Sequence, residues 1–121
     1  MIRNIISALQ TATNLPVKPM FTTEIDNQII YSHYAVIDNG ARSQQRLEIR
    51  LITKTYSEAE SYRKEIIGAL VPIGDSKKIE GITACELNGG GSLYEGETKT
   101  YHTLLYFDYI TKSENGGLNN E

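Results

Sequence analysis

At 121 residues the chain can form one domain with one modest core, and folding is expected to bury roughly two-thirds of the unfolded surface. Its 12 basic and 15 acidic residues leave a net charge of −3, which argues against a general nucleic-acid binder, a class with a basic excess on one face. The single cysteine, Cys85, excludes an intrachain disulfide and a multi-cysteine metal site, and fits synthesis in a reduced compartment.

The N-terminus does not read as a signal peptide, because Asn4, Ser7 and Gln10 break every apolar run. No segment approaches the roughly 18 to 20 apolar residues that span a bilayer, so a soluble protein without membrane partners is expected. Ile2, Ile5, Ile6 and Leu9 form one stripe of a short helix, which Asn14 and Pro16 end. Pro16 to Met20 reads as a short extended segment, confined to a sheet edge by Pro16 and Pro19. Thr22 to Asn27 reads as a polar loop, and Ile29 to Asp38 as a strand. Asn39-Gly40 is a turn signal for a hairpin into the next strand.

That next strand, Arg46 to Lys54, alternates. Leu47, Ile49, Leu51 and Thr53 share one face and Arg46, Glu48, Arg50 and Lys54 the other, with Ile52 breaking the polar side. After a two-residue break the chain enters an amphipathic helix, about Glu58 to Leu70. The S-x-x-E spacing of Ser57 and Glu60 predicts a capping box at its start. Ala59, Tyr62, Ile66, Ala69 and Leu70 share its buried face, and Pro72 and Gly74 stop it. A strand from Ile79 to Leu87 then leads through a glycine-rich hairpin loop, Asn88 to Gly96, into a final strand, Tyr101 to Lys112. Residues 1–112 are expected to form one α+β domain, a mostly antiparallel sheet of four to five strands with two helices packed on one face. The polar residues 113–121 read as a disordered tail.

The final strand is apolar on both sides. Tyr101, Thr103, Leu105, Phe107 and Tyr109 point one way, and His102, Leu104, Tyr106, Asp108 and Ile110 the other. Two helices cover one face of a sheet, so the second calls for cover from elsewhere in the chain or from a second subunit. Eight tyrosines, with no tryptophan, fit an interface, since tyrosine joins a large contact area to a polar end. Tyr101, Leu104, Tyr106 and Ile110 are the candidate subunit interface.

Catalytic chemistry is not legible. His33 and His102 lack partners at metal-ligand spacing, and Cys85 lacks the electropositive setting of a reactive thiol. The run Asn88, Gly89, Gly90, Gly91, Ser92, Leu93 and Tyr94 lacks the helix start that a phosphate loop requires, and Glu95 and Glu97 would repel an anion. It reads instead as a mobile loop able to take part in assembly. Arg42, Arg46, Arg50 and Lys54 recur every fourth residue, which on a helix would make a basic stripe. On a strand, with Glu48 among them, they form either a solvated face or a charged surface lining a passage or meeting a subunit. No enzyme activity and no cofactor are expected.

Four stretches give the chain its resemblance to a known family. They are the opening helix Ile2–Thr13, the strand YSHYAVID (Tyr31–Asp38), the block from Arg46 to Leu70, and ITACELNGGGSLYEGETKTYHTLLYFDYI (Ile82–Ile110). Together they resemble the tail-terminator or tail-completion proteins of tailed bacteriophages, the head–tail joining family that includes prophage minor capsid proteins. The resemblance implies a virion subunit, made in the bacterial cytoplasm, that forms a ring, commonly hexameric, on the end of the tail. It implies a tail-tube protein and a neck protein as partners, and DNA passing through the lumen without sequence-specific binding. Arg46, Glu48, Arg50 and Lys54 would then face the lumen or a neighbour, and the loops Thr22–Gln28 and Asn88–Thr100 would serve subunit contacts. Two other readings stay open: a small α+β ligand-binding module, and a DNA-contacting protein that uses the basic stripe.

Overall fold

The computed structural model describes residues 2–20, 24–38, 42–71, 79 and 81–112. The elements in chain order are α1 (Ile2–Thr13), β1 (Val17–Pro19), β2 (Gln28–Asp38), β3 (Arg42–Thr53), α2 (Tyr56–Leu70), β4 (Ile82–Glu95) and β5 (Thr100–Lys112). The five strands make one sheet in the order β1-β2-β3-β5-β4, antiparallel except for the short β1–β2 pair. The fold is α+β, as the sequence pattern predicts.

The core lies between one sheet face and the two helices. Leu47, Ile49 and Leu51 of β3 lie opposite Phe107, Leu105 and Thr103 of β5, and Ile29 of β2 lies opposite Leu51. Ile5 and Leu9 of α1 and Ile66 and Leu70 of α2 close over them. Each such side chain contributes about 1.5–3 kcal/mol by leaving water, so this face dominates stability. α1 ends at Thr13, whose hydroxyl donates to the Leu9 carbonyl at 2.7 Å. Asn14 follows with φ 58, the left-handed conformation that asparagine tolerates at a helix end. β1 then runs along the β2 edge, where Pro19 costs no ladder bond.

The helix start differs from the sequence prediction. α2 begins at Tyr56, and its cap is Thr55, not Ser57: the Thr55 hydroxyl accepts from the Glu58 N–H at 3.1 Å and donates to Glu58 Oε1 at 2.9 Å. Thr55 and Glu58 have the spacing of Ser57 and Glu60, and a tertiary contact selects them. Asn27, just before β2, accepts from the Lys54 N–H at 2.9 Å and donates to Glu58 Oε2 at 2.6 Å. One side chain thus ties the end of β3 to the first turn of α2.

β3 begins at Arg42, four residues before the predicted start. Arg-Ser-Gln-Gln shows no alternation, and ladder bonds to β2 and β5 draw it into the sheet. β4 begins at Ile82, with Ile79 in a preceding turn. The larger correction concerns residues 88–95. The predicted loop is the second half of β4, paired with β5 as far as Glu95–Thr100, and the turn is confined to Gly96–Lys99. The register shifts between Leu87 and Gly90, where Gly89 and Gly90 have φ of 110 and 147, so these glycines build a β-bulge inside a strand. The Asn39-Gly40 turn, the Pro72 and Gly74 stop and the 113–121 tail lie outside the described residues.

Candidate functional site

The face of the sheet away from the helices carries most of the candidate residues. Arg46, Glu48 and Arg50 of β3 lie opposite Asp108, Tyr106 and Leu104 of β5, and Gln44 lies opposite Ile110. The charged strand and three of the four apolar interface candidates therefore form one mixed surface. Leu104, Tyr106 and Ile110 are half-buried on it. Tyr101 points to the other face, where its ring lies 4.9 Å from Tyr94 and 5.8 Å from Tyr56. Lys54 sits just past β3 and pairs with Asp26 at 3.2 Å, both exposed.

A polar chain crosses three strands of this face, β3, β5 and β4. Arg46 Nε donates to Asp108 Oδ1 at 2.8 Å and Nη2 to Oδ2 at 3.3 Å, a two-point grip. Asn88 Nδ2 of β4 donates to the same Oδ2 at 2.7 Å. Asp108 is only 8% exposed, so its charge depends on these donors. The Arg46 hydrogen bonds, with help from Asn88, hold its pKa below the ordinary value of 3.8, against the opposing effect of burial. Arg46 is pushed further above its already high value, chiefly by Asp108. Asn88, expected in a mobile loop, is a fixed member of this chain.

A second chain lies toward the β4–β5 turn. Arg50 Nη1 is 2.9 Å from His102 Nδ1, and a guanidinium only donates, so Nδ1 is the acceptor. The ring proton is then on Nε2, which donates to Thr100 Oγ1 at 3.1 Å. Burial, then the charge of Arg50, push the His102 pKa below 6.5. Between the two chains is a dent of about 210 Å³ with Ile30, Glu48, Arg50, Leu104 and Tyr106 in its lining and Met20 at its rim.

One corner of this face is covered by the chain itself. Gln28 is 1% exposed, and its Nε2 donates to the Glu24 and Asp26 carbonyls at 2.8 and 2.9 Å, drawing the segment before β2 onto the sheet. Ile30 and Ile52 nearby are buried. Of the predicted 22–28 loop, residues 24–27 are described outside any strand, and Gln28 belongs to β2.

Among the described residues no group of three or more His, Cys, Asp or Glu could hold a metal. The Cys85 thiol is pushed up to about 11, first by burial and then by the charges of Asp108 and Glu86, which disfavours a nucleophilic thiolate. Sequence reasoning missed Asp108, Asn27 and Gln28 as organising residues. The signal for Asp108 was there: one acid inside the apolar run Leu104–Ile110 needs a partner.

Neither a family model nor a curated protein matches the sequence. Among solved structures, the chain is similar to one in a structure described as the virion of a native gene transfer agent particle. The TM-score is 0.69 over 92% of this chain and 93% of that one, at 12% identity. At that identity the likeness establishes a shared fold along nearly the whole of both chains.

Proposed function

We propose that this chain is a structural subunit of a phage-type virion, a ring-forming tail terminator that caps the tail tube and joins it to the head. The observation that carries the reading is the near full-length likeness to a virion chain, with no large insertion on either side. The open sheet face supports it. Arg46 is neutralised by Asp108 and Lys54 by Asp26, and Arg50 has Glu48 beside it on the strand. A face so balanced would line a passage for DNA without gripping the phosphates, whereas a nucleic-acid clamp leaves its cations free. The reading includes a tail-tube protein and a neck protein as partners, a hexamer on assembly, and no catalytic role. Another neck, head-completion or minor capsid protein is the alternative within the same class.

Sedimentation velocity and negative-stain imaging, with and without a tail-tube protein from the same genome, test the proposal. Rings alone or on tube ends are expected. A monomer at every concentration, with tube ends left bare, would sink it.

A further inference from the structure

Arg50 stands midway between two partners on the open face. It lies opposite Leu104 of β5, with His102 two residues along β5 one way and Tyr106, opposite Glu48, two residues the other way. Its guanidinium is turned to His102, with Nη1 2.9 Å from Nδ1. Glu48 is half-buried and makes no hydrogen bond or ion pair with a described residue. Next-but-one residues of a strand share a face and are about 7 Å apart, a gap that an arginine and a glutamate side chain bridge together. Both line the same dent, beside Leu104 and Tyr106, and its volume of about 210 Å³ gives the guanidinium room to cross.

The contact with His102 exists in one protonation state only. Nδ1 accepts while it carries a lone pair, and arginine does not give up its proton. A proton on Nδ1 would set two donors and two positive charges against each other, so one partner has to leave. The ring is held from its other side, where Nε2 is 3.1 Å from Thr100 Oγ1, an acceptor for a neutral or a charged imidazole alike. Thr100 is buried, whereas Arg50 is exposed on a long side chain, so the arginine is the part that moves. Two charges act on the ring, Arg50 of β3 and Glu95 of β4, which lies opposite Thr100 and favours the imidazolium. Lys54, at the end of β3, is paired with Asp26, and Gln28 and Ile52, in the same row as His102, are uncharged. Glu48 is then the unpaired acid within the arginine's reach.

We propose that Arg50 is a two-position side chain: a neutral His102 ring holds it against β5, and a protonated ring hands it to Glu48, closing the dent between them. The dent is open above the His102 midpoint, which burial and then Arg50 hold below 6.5, and shut beneath it. Glu48 faces Tyr106, four residues along β5 from His102 and about 13 Å away, a distance at which salt screens direct charge effects. A link between Glu48 and His102 therefore runs through Arg50. The device belongs to the sheet face itself and does not rest on the ring-subunit reading.

The test is a pH titration across the His102 midpoint, followed by NMR of the His102 ring nitrogens, the Arg50 Nε–H and the Glu48 carboxyl carbon. It is run on the wild type, Glu48→Gln, Arg50→Met and the double variant. In the wild type all three signals are expected to shift with one shared midpoint below 6.5, the Glu48 carbon in addition to its own titration. Glu48→Gln should lower the His102 midpoint, because the released arginine loses its second partner. Arg50→Met should raise it, and in that background Glu48→Gln should leave it unmoved. Arg50 and Glu48 signals that ignore the His102 transition overturn the proposal. So does a Glu48→Gln effect that is absent, or equal in size with and without Arg50. A His102 midpoint at or above 6.5 overturns it as well, since the arginine is then not on Nδ1. The wild-type titration needs no substitution, so a variant that fails to fold still leaves the proposal open to refutation.

Discussion

Arg46 and Asp108 lie 62 residues apart in sequence and directly opposite each other on β3 and β5, joined at two points. The arginine is a third exposed and the aspartate nearly buried, so the two ends of the pair are unequal. Removing Arg46 strands a buried carboxylate with only Asn88, whereas Asp108→Asn removes the charge and keeps an acceptor for the arginine. Asp108→Asn should cost about 1–2 kcal/mol in urea unfolding, and Arg46→Met should cost more. The reverse order would mean that water screens the carboxylate. The folded pKa of Asp108 lies below its ordinary 3.8, so its contribution is full above that value and is lost as pH falls through the folded one. Asp108→Asn should therefore flatten the acid limb of the stability curve.

Neighbouring glycines should behave in opposite ways. A Cβ on Gly90 would sit 2.2 Å from the Leu104 carbonyl oxygen, at φ 147. One on Gly91 would meet nothing within 4 Å. Gly90→Ala should destabilise by about 2–4 kcal/mol, and Gly91→Ala should stay within about 0.5 kcal/mol. Equal effects in thermal unfolding would contradict the bulge.

Thr55 and Ser57 offer a direct contest between two capping patterns. Thr55→Ala should cost about 1 kcal/mol, as loss of an N-cap does. Ser57→Ala, at an exposed position inside the first turn, should change stability by less than about 0.5 kcal/mol. Chemical denaturation of the two variants under one set of conditions distinguishes them.

His102 should register in pH dependence. Its folded pKa is depressed, so between 6.5 and that lower value the unfolded chain binds the extra proton. Stability attributable to His102 is then constant above 6.5 and falls as pH drops through that window. His102→Gln should remove this component. An imidazole NMR titration with a midpoint at or above 6.5 would contradict the Arg50–His102 arrangement.

Much of the fold was legible because its signals are local. The alternation at Leu47, Ile49 and Leu51, the stripe Ile2–Leu9 and the helix face through Ala59 and Ile66 each follow from burial on one side of one element. The failures share one cause, that the deciding contact is distant in sequence. Thr55 and Ser57 match the same capping pattern, and Asn27, from before β2, selects between them. Gly89 and Gly90 fit a turn as well as a bulge, and only the facing residues of β5 decide. The Arg46, Glu48 and Arg50 face was readable from parity, but its near neutrality depends on Asp108, which no local pattern connects to it.

The strand order β1-β2-β3-β5-β4 has a consequence for how the protein is made. β4 leaves the ribosome before β5, yet among the described residues its neighbour in the sheet is β5 alone. Until β5 is synthesised and slots between β3 and β4, the β3 edge is bare and β4 has nothing to pair with. The second half of the sheet must therefore zip up in one late event, closing a long loop before its contacts repay the entropy. A nascent chain stalled ahead of Thr100 would present two sticky strands, and protection from aggregation during synthesis falls to chaperones.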